Sequence, residues 1–580
     1  MAHPYKGFEP KWFQGEIPKD SYRSIFKWGV PEQIKAPRED MLRDILQRFG
    51  INDDFLHAYQ QDLGLDEVKF DIPIQLADEH LAALREIVGN DFVRTDDYAR
   101  FSVAYGKTMF DLLRARNKIV ENVPDAVVYP ENRKQIEQIV AYVSEHKIPL
   151  YVYGGGSSVT RGVECVKGGI SLDMRLRFNK VVRFNEEDQL ITVEAGMSGP
   201  KLEEILQNAP KVLGAKRAYT LGHFPQSFEH SSVGGWIVTR GSGQNSTYYG
   251  CISDMVLGQS YATPRGSITT DSHPRKATGP DLDQLMMGAE GTFGVLTHVT
   301  LRLSRHMPET TRRFSYMFKD WQTGIAAARE IMQSEAGKPS VFRLSDPEET
   351  SIMVNMYGVM DTPLKHLFRA KGMKENEMCL FLGYTGGEDG YSKNCAKTVR
   401  RVAKRYGGLS LTGLVCKGWE HGRFSDPYLR DTLQDFGVIM DTMECSVNWS
   451  EMARVHAEVR KIVKARPQTI CMTHMSHVYP QGGNLYWIFI ILENDAEEFR
   501  KFHASILDAI QRSGASMSHH HGIGKMFGPW LEGQLGRNEY DVIRALKQYF
   551  DPDGIMNPGG TLGLDIPEAE KRFLKEPNDA

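Results

Sequence analysis

Apolar positions along the chain change period several times, and each change marks a new element. Between residues 40 and 116 they recur at helical spacing, as Leu42, Ile45 and Leu46, then Leu81, Leu84 and Ile87, then Phe110, Leu112 and Leu113, which predicts helices with one apolar face. Residues 1 to about 30 hold Pro, Lys and aromatic side chains without a period and read as an extended arm. From residue 123 the pattern becomes mixed. A proline-bounded strand at 124–130 precedes Asn132, which can cap a helix whose apolar face is Ile136, Ile139, Val140 and Val143. A second strand at 149–153 runs into Gly154-Gly-Gly-Ser-Ser-Val-Thr-Arg-Gly162, strands follow at 170–174 and 190–196, and 200–207 reads as a helix. Beyond residue 306 the alternation resumes, with strands at 314–318 and 378–384 and helices at 324–332, 392–406, 450–464 and 496–512. The most apolar run, 485–492, is too short to span a bilayer and reads as a buried strand. An antiparallel sheet covered by helices is the economical architecture for this half.

Composition narrows the function classes. With 580 residues, 41% hydrophobic and 25% charged, the chain can build two or three cores. A net charge of -4 gives no general attraction to nucleic acid or to an anionic bilayer, so nucleic acid is not expected as a partner. The seven cysteines are scattered and form no C-x-x-C pair, which reads as reduced thiols of a cytoplasmic protein and not as a disulfide frame or a zinc site. The first ten residues lack an apolar h-region, so no secretory signal is expected.

Candidate chemistry lies in the turns. The run Gly154-Gly155-Gly156 permits positive φ, successive N–H groups can converge, and the hydroxyls of Ser157 and Ser158 add donors; this suits a pyrophosphate, although such a loop taken alone is more often a plain tight turn. The loop is neither a Walker A motif nor G-x-G-x-x-G. Across 222–245, Ser227, Ser231, Ser232, Gly234, Gly235, Gly241, Ser242 and Gly243 are expected to leave amides uncovered for a large anionic ligand. In the second half, His519, His520 and His521 are consecutive. Neighbours on an extended segment point to opposite sides, so they are not expected to share one metal ion; one or two can serve as bases near neutrality, or the run is a structural turn. Arg430 stands between apolar positions and needs an anion, either a ligand or one of Asp426, Asp431 and Glu444.

The order of glycine loop, Glu194-Ala-Gly196, a Ser/Gly-rich segment with Gly234-Gly235, and Gly288-Ala-Glu-Gly-Thr-Phe-Gly-Val-Leu-Thr297 resembles the FAD-binding domain of the vanillyl-alcohol oxidase type flavoproteins. The resemblance implies an α+β protein with a PCMH-type FAD-binding domain of two α/β subdomains, an antiparallel-sheet cap and a helical N-terminal region. The expected boundaries are 1–120 for the arm and helical region, 121–305 for the FAD domain, 306–540 for the cap and 541–580 for a segment returning to the FAD domain. Residues after about 565 are expected to be loose. In the metal-dependent D-2-hydroxyacid dehydrogenases of this superfamily, the segment matching 479–486 is similar to His-x-Gly-Asp-Gly-Asn-x-His, and a later motif is Glu-His-Gly. Here Tyr479 and Tyr486 replace both histidines and His520 replaces the glutamate, so a hard divalent cation loses its usual ligands and no metal is expected. His477 lies nearby at an offset that does not restore the pattern.

With Gly222-His-x-Pro-x-Ser-x-Glu229 and Thr239-Arg-x-Ser-Gly243, residues 75–562 resemble the alkylglycerone-phosphate synthase (alkyldihydroxyacetonephosphate synthase) family. The resemblance implies a redox-neutral reaction. Oxidised FAD acts through N5 at C1 of an acylated dihydroxyacetone phosphate, the fatty acid departs, and a long-chain alcohol replaces it as an ether. Carried over position by position, Arg430 matches the phosphate-holding arginine, Tyr479 the proton donor or acceptor, and His519, His520 and His521 the histidine run. For FAD the matching positions are Gly154, Gly155, Gly156, Ser157, Ser158, Val159 and Thr160; Gln226, Ser227, Ser231, Ser232 and Gly235; Thr239, Arg240, Gly241 and Ser242; and Glu290, Gly291, Thr292, Gly294 and Val295. No His or Cys stands in the glycine loop, so the FAD is expected to be non-covalent. Met287, Met440 and Met443 are core or line a lipid tunnel. Two departures stand out: 241–248 lacks the Ala-Ser-Gly-Met-Lys-Lys run of the eukaryotic enzymes, and Phe224 and Gln226 alter Gly-His-Glu-Pro-Asp-Ser. Neither end resembles a peroxisomal signal, which points to a cytoplasmic protein of a bacterial subgroup, with peripheral membrane contact and a homodimer by analogy. An FAD-linked dehydrogenase or oxidase of a hydroxy acid or other alcohol is the competing reading, and a flavin-binding protein without catalysis a third.

Overall fold

The computed structural model describes residue 13 and residues 15–37, 39–51, 62–356, 360 and 362–574. They form two compact units: residues 18–26, 65–306 and from 516 onward in one, and residues up to 17, 27–64 and 307–515 in the other.

Among the described residues the first unit holds three sheets, of four, five and two strands. Strands β1 (Val93–Arg94), β2 (Ala126–Val128), β3 (Leu150–Tyr153) and β4 (Ile170–Asp173) lie in the order β1-β2-β4-β3. The last three run parallel and β1 antiparallel. The strands β2 and β4 are buried at every position, as parallel strands covered on both faces must be. The expected cap operates: Asn132 accepts from the Gln135 amide at 3.0 Å, and Ile136, Ile139, Val140 and Val143 of helix Arg133–Glu145 enter the core with Leu81 and Leu84 of helix Asp78–Val88. The C-terminal segment adds to the β3 edge, where Leu150 N donates to Ile555 O at 2.8 Å and Asn557 N to Leu150 O at 2.8 Å.

Strands β5 (Val181–Asn185) and β6 (Leu190–Glu194), a short β7 (Tyr219–Thr220), then β8 (Val256–Thr263), β9 (Gly266–Thr269) and β10 (Val295–Arg302) follow, with β11 (Ser304–Arg305) paired to β7. The sheet β5-β6-β10-β8-β9 is antiparallel throughout. Helices Gly199–Gln207 and Val233–Val238 bury Leu202, Leu206, Val233, Trp236 and Ile237 against Ile191, Val193, Val299 and Leu301.

The second unit is built on one antiparallel sheet of seven strands, β12 (Arg312–Phe318), β13 (Val341–Ser345), β14 (Cys379–Thr385), β15 (Leu409–Ser410), β16 (Val438–Asn448), β17 (Ile470–Tyr479) and β18 (Gly482–Leu492), ordered β15-β12-β14-β13-β17-β18-β16. Helices Trp321–Met332, Asp389–Arg405, Met452–Ala465 and Ala496–Arg512 cover one face. On the other, two clusters gather: Met41, Leu42, Ile45, Leu429 and Leu433 over Ile470, Met472 and Ile490, and Phe368, Cys416 and Trp419 over Leu380, Leu382 and Tyr384.

Two expectations need correcting. The arm contains a short helix, Tyr22–Phe26, with residues 1–12 and 14 outside the described residues. Residues beyond 565 are tied down: Lys571 pairs with Glu532 at 2.6 Å and Glu568 at 2.9 Å, and the Arg572 amide donates to Pro529 O at 2.8 Å; residues 575–580 lie outside the described ones. Of the two readings open for the methionines the core one holds: Met287 and Met443 are buried core residues, and Met440 packs half-buried against the cluster around Leu433. Among the described residues no helix is long and apolar enough to cross a membrane.

Candidate active site

The loop after β3 is unusual in what its backbone leaves undone. Among the described residues, the amides of Gly155, Gly156, Ser157 and Ser158 donate to no protein acceptor. The loop closes on itself through Ser158 Oγ, which accepts from Gly162 N at 2.9 Å and Thr160 N at 3.3 Å. Gly156 takes φ 67, and successive amides in such a turn form a concave nest for an anion. A Cβ on Gly155 would stand 2.1 Å from His230 O, and one on Gly154 would stand 2.4 Å from Ser232 Oγ. The glycines therefore let this loop close onto the 230–232 segment.

That second segment meets the expectation of uncovered amides in part: among the described residues the amides of Ser227, Ser232, Ser242 and Gly243 donate to no protein acceptor, whereas those of Ser231, Gly234, Gly235 and Gly241 are spent. Gly234 N donates to Ala195 O at 2.8 Å, Gly241 N to Trp236 O at 2.7 Å, and Gly235 N to Ser232 Oγ at 3.2 Å as the cap of helix Val233–Val238. Ser227 O receives the amides of His230 and Ser231, Ser231 Oγ accepts from Trp236 Nε1 at 2.7 Å, and Thr239 Oγ1 donates to Gly235 O at 2.8 Å. Gln226 Oε1 accepts from Gln244 Nε2 at 3.0 Å, Ser242 Oγ meets Cys251 Sγ, and the Arg240 guanidinium turns to Gln284. The small residues thus serve close approach of backbones: a Cβ on Gly243 would lie 2.4 Å from Phe224 N. Sequence reasoning missed two residues here. His223 is buried beside Trp236, ring centroids 4.7 Å apart, neither ring nitrogen has a hydrogen-bond partner among the described residues, and burial pushes its pKa down to about 3. Glu203 takes the Thr220 hydroxyl at 2.9 Å and the Leu221 amide at 2.8 Å, fixing the turn that carries Gly222 and His223.

The third segment joins these to the histidine run. Glu290, at φ 48, spends its carboxylate on the amides of Ile523 at 2.6 Å and Gly524 at 2.7 Å. Burial raises its pKa to about 7 against the opposing pull of those amides and of Lys525. Thr292 Oγ1 donates to Ala289 O at 2.7 Å, Gly291 and Gly294 take positive φ, and Val295 begins β10. Thr160 O accepts from Met526 N at 3.0 Å. Lys525 Nζ donates to Asn557 Oδ1 at 2.8 Å and Thr561 Oγ1 at 2.9 Å, while Asn557 Nδ2 donates to Glu290 O at 2.6 Å and Gly162 O at 3.2 Å. Lys525 and Asn557 were also missed; they recruit groups far apart in sequence, and only burial reveals them. The chain bends at residues 519–521, so neighbouring histidines are not splayed apart as expected: His519 Nδ1 and His520 Nδ1 lie 3.1 Å apart, and the rings of His520 and His521 are 4.6 Å apart. The convergence of the glycine loop, the 230–243 segment and the 290–295 segment, with a row of unspent amides in the first, fits the pyrophosphate of a dinucleotide such as FAD.

In the other unit, register decides which side chains share a face. Opposed residues of antiparallel strands project to one side, so the pairs Glu444↔Tyr486, Ser446↔Asn484, His474↔Tyr486 and Tyr479↔Gly482 place Glu444, Asn484, Tyr486, His474 and Tyr479 on one face. Asn484 Nδ2 donates to Glu444 at 2.6 Å, and the His474 ring stacks on Tyr486 at 5.0 Å. Burial pushes the Tyr486 phenol up to about 12. His474 Nδ1 meets Glu349 at 3.1 Å, Arg343 meets Glu349 at 2.6 Å, and burial with the Arg343 charge lowers the His474 pKa. Arg430, on helix Leu429–Gln434, is buried with its guanidinium 4.9 Å from the Trp28 ring and its Nε 4.0 Å from Asp431. Asp431 accepts from the Trp28 amide at 2.8 Å. Of the other two candidate partners, Asp426 pairs with Lys35 at 2.7 Å and Glu444 holds Asn484.

Comparisons with known proteins agree with this geometry. Residues 124–272 match the model of the FAD binding domain, and residues 307–561 match that of the FAD linked oxidases, C-terminal domain. The chain is 28% identical over 538 residues to an alkyldihydroxyacetonephosphate synthase of Dictyostelium discoideum, covering 89% of this chain and 85% of the relative. It is 29% identical over 499 residues to the uncharacterized FAD-linked oxidoreductase YgcU of Escherichia coli (strain K12), covering 82% of this chain and 96% of the relative. A solved alkyldihydroxyacetonephosphate synthase superposes with a TM-score of 0.71 at 26% identity, covering 85% of this chain and 86% of that one. An FAD binding domain is thus followed by a C-terminal domain of the FAD linked oxidases, and over more than four fifths of its length the chain is a homologue of the alkyldihydroxyacetonephosphate synthases in sequence and fold.

Proposed function

We propose that the protein is a redox-neutral, FAD-dependent transferase that exchanges the acyl group of an acyl-dihydroxyacetone phosphate for a long-chain alcohol, giving an ether. FAD, held without a covalent bond in the 154–162 nest, supplies the ring chemistry that lets C1 exchange its oxygen substituent. The chain's own groups do the rest. Arg430 binds the substrate phosphate through its planar fork. Tyr479 relays the proton released by the alcohol as its oxygen bonds to C1, the C1–O bond to the acyl group breaks with departure of the fatty acid carboxylate, and the resemblance assigns His519, His520 and His521 as a run needed for activity. Electrons balance without an acceptor. The observation that carries this reading over a metal-assisted dehydrogenase is the pair Tyr479 and Tyr486 on one face of the cap sheet, phenols standing where such dehydrogenases have imidazole ligands.

The test is product analysis: purified protein with palmitoyl dihydroxyacetone phosphate and hexadecanol is expected to yield the alkyl ether and free palmitate. Absence of ether in every detergent tried, with the flavin instead bleached by a 2-hydroxy acid, overturns the proposal in favour of an oxidoreductase. By analogy we also assign a cytoplasmic homodimer with peripheral membrane contact; sedimentation velocity and vesicle flotation check these directly.

A further inference from the structure

Strict alternation along β17 puts Tyr479 on the wrong side of the sheet. Counting from Met475 in steps of two, residue 479 falls with Thr473, Met475 and, on β18, Trp487, the face packed under helices Met452–Ala465 and Ala496–Arg512. Met475 and Trp487 are completely buried there, and a phenol among them would meet no substrate. The observed register is different. Ser476 opposes Asn484, but the next pair is Tyr479↔Gly482, so β17 spends one residue more than β18 between the same two rungs. That is a bulge, and it moves Tyr479 onto the face of Glu444, Asn484 and Tyr486. The extra residue is accommodated at His477, whose φ is 47. Bulges of this kind normally place glycine in the left-handed region; histidine tolerates it better than most side chains, and β-branched residues hardly at all.

The turn beyond Tyr479 is fixed independently. Pro480 O accepts from both Trp449 Nε1 at 2.9 Å and Gln333 Nε2 at 2.9 Å, Trp449 Nε1 also reaches Tyr479 O at 3.2 Å, and the Trp449 amide donates to Gln481 O at 3.1 Å. Tyr479 is therefore held from both sides, by a pinned turn after it and a left-handed residue before it.

We infer that His477 is a positioning residue, whose left-handed backbone makes the bulge that turns Tyr479 onto the face of the cap sheet that carries Glu444, Asn484 and Tyr486. Its catalytic consequence rests on the role given to Tyr479 above. Glycine at 477 adopts the same φ freely, whereas valine resists it, so backbone and side-chain roles separate. His477→Gly is expected to keep kcat within about twofold, and His477→Val to lower kcat at least tenfold, with KM and bound FAD unchanged in both. The position of Tyr479 is read without catalysis by NMR of ring-labelled tyrosine, its signal assigned by Tyr479→Phe: it is expected to shift in His477→Val and to stay in His477→Gly. Should valine prevent folding, His477→Ala, also disfavoured at positive φ, is expected to show the same ordering against glycine. An unmoved Tyr479 signal in the valine or alanine variant overturns the inference, as does loss of kcat in His477→Gly with that signal in place. If the signal shifts as expected but Tyr479→Phe is fully active, the positioning stands and the catalytic role of Tyr479 falls.

Discussion

At the scale of single residues, the roles proposed for Tyr479 and Arg430 can be tested apart. Tyr479 lies half-buried at the end of β17 with its carbonyl already engaged by Trp449, so removing its hydroxyl leaves the backbone contacts intact. Tyr479→Phe is expected to lower kcat for ether formation by about 100-fold or more, within the usual range for a lost acid–base group, with bound FAD and thermal stability unchanged; steady-state assays and the flavin-to-protein absorbance ratio check this. Arg430 differs, because its guanidinium is also a structural neighbour of Trp28 and Asp431. Replacement by lysine keeps the charge beside Asp431 and loses the two-pronged grip on a phosphate. Arg430→Lys is expected to raise KM for the phosphate ester roughly tenfold, about 1.4 kcal/mol, while kcat changes less. An unaltered KM would take the phosphate away from this arginine.

At the scale of elements, the periodic ones were legible and the site's geometry was not. The helix Ala496–Arg512 coincides with the stretch in which apolar residues recur every three or four positions, and Asn132 caps the helix its side chain suggested. Both signals are local, which is why they can be read from a string. The bulge at His477 is not local: it exists only as a mismatch between β17 and β18, and alternation alone assigns Tyr479 to the opposite face. Likewise the glycines of 154–156 announced a special turn, but only the fold shows that Gly155 lacks a side chain because His230 O occupies that space, and that the second segment spends the amides of Gly234, Gly235 and Gly241 while leaving those of Ser242 and Gly243 without a protein acceptor. Glu290 matched a flavin motif, yet its carboxylate is committed to the amides of Ile523 and Gly524. The loop yields a direct expectation. A methyl at position 155 must push the 230–231 backbone away, which costs about 1–3 kcal/mol by analogy with overpacked cores. Gly155→Ala is expected to be purified largely free of flavin and to melt at lower temperature; retention of full FAD content would show that the two segments can separate without loss of the nest.

At the scale of the whole molecule, pH reports on groups that folding traps in one charge state. Burial holds His223 neutral, with a pKa near 3 in place of the ordinary 6.5, so the unfolded chain takes up this proton first as pH falls. The stabilising effect of that difference is complete above pH 6.5 and is lost progressively down to about pH 3. Between neutral pH and pH 5 it amounts to about 2 kcal/mol. Glu290 has the opposite sign: its carboxyl, raised to about 7 from 4.5, favours the folded state fully below pH 4.5 and loses that effect as pH rises through 7. The two contributions partly cancel in the wild-type protein, and a variant is needed to expose either. Glutamine at 223 preserves a polar side chain of similar size and cannot take up a proton. Urea unfolding followed at pH 7 and pH 5 is therefore expected to show His223→Gln less destabilised by acid than the wild type, by about 2 kcal/mol. Because His223 lies in the turn fixed by Glu203 and beside Trp236 of the helix whose cap, Ser232, abuts Gly154 of the nest, acid is expected to release FAD from the wild type at a higher pH than from the variant. Equal acid sensitivity of the two proteins would mean that His223 finds a proton-accepting environment in the folded state, and that burial alone does not set its charge.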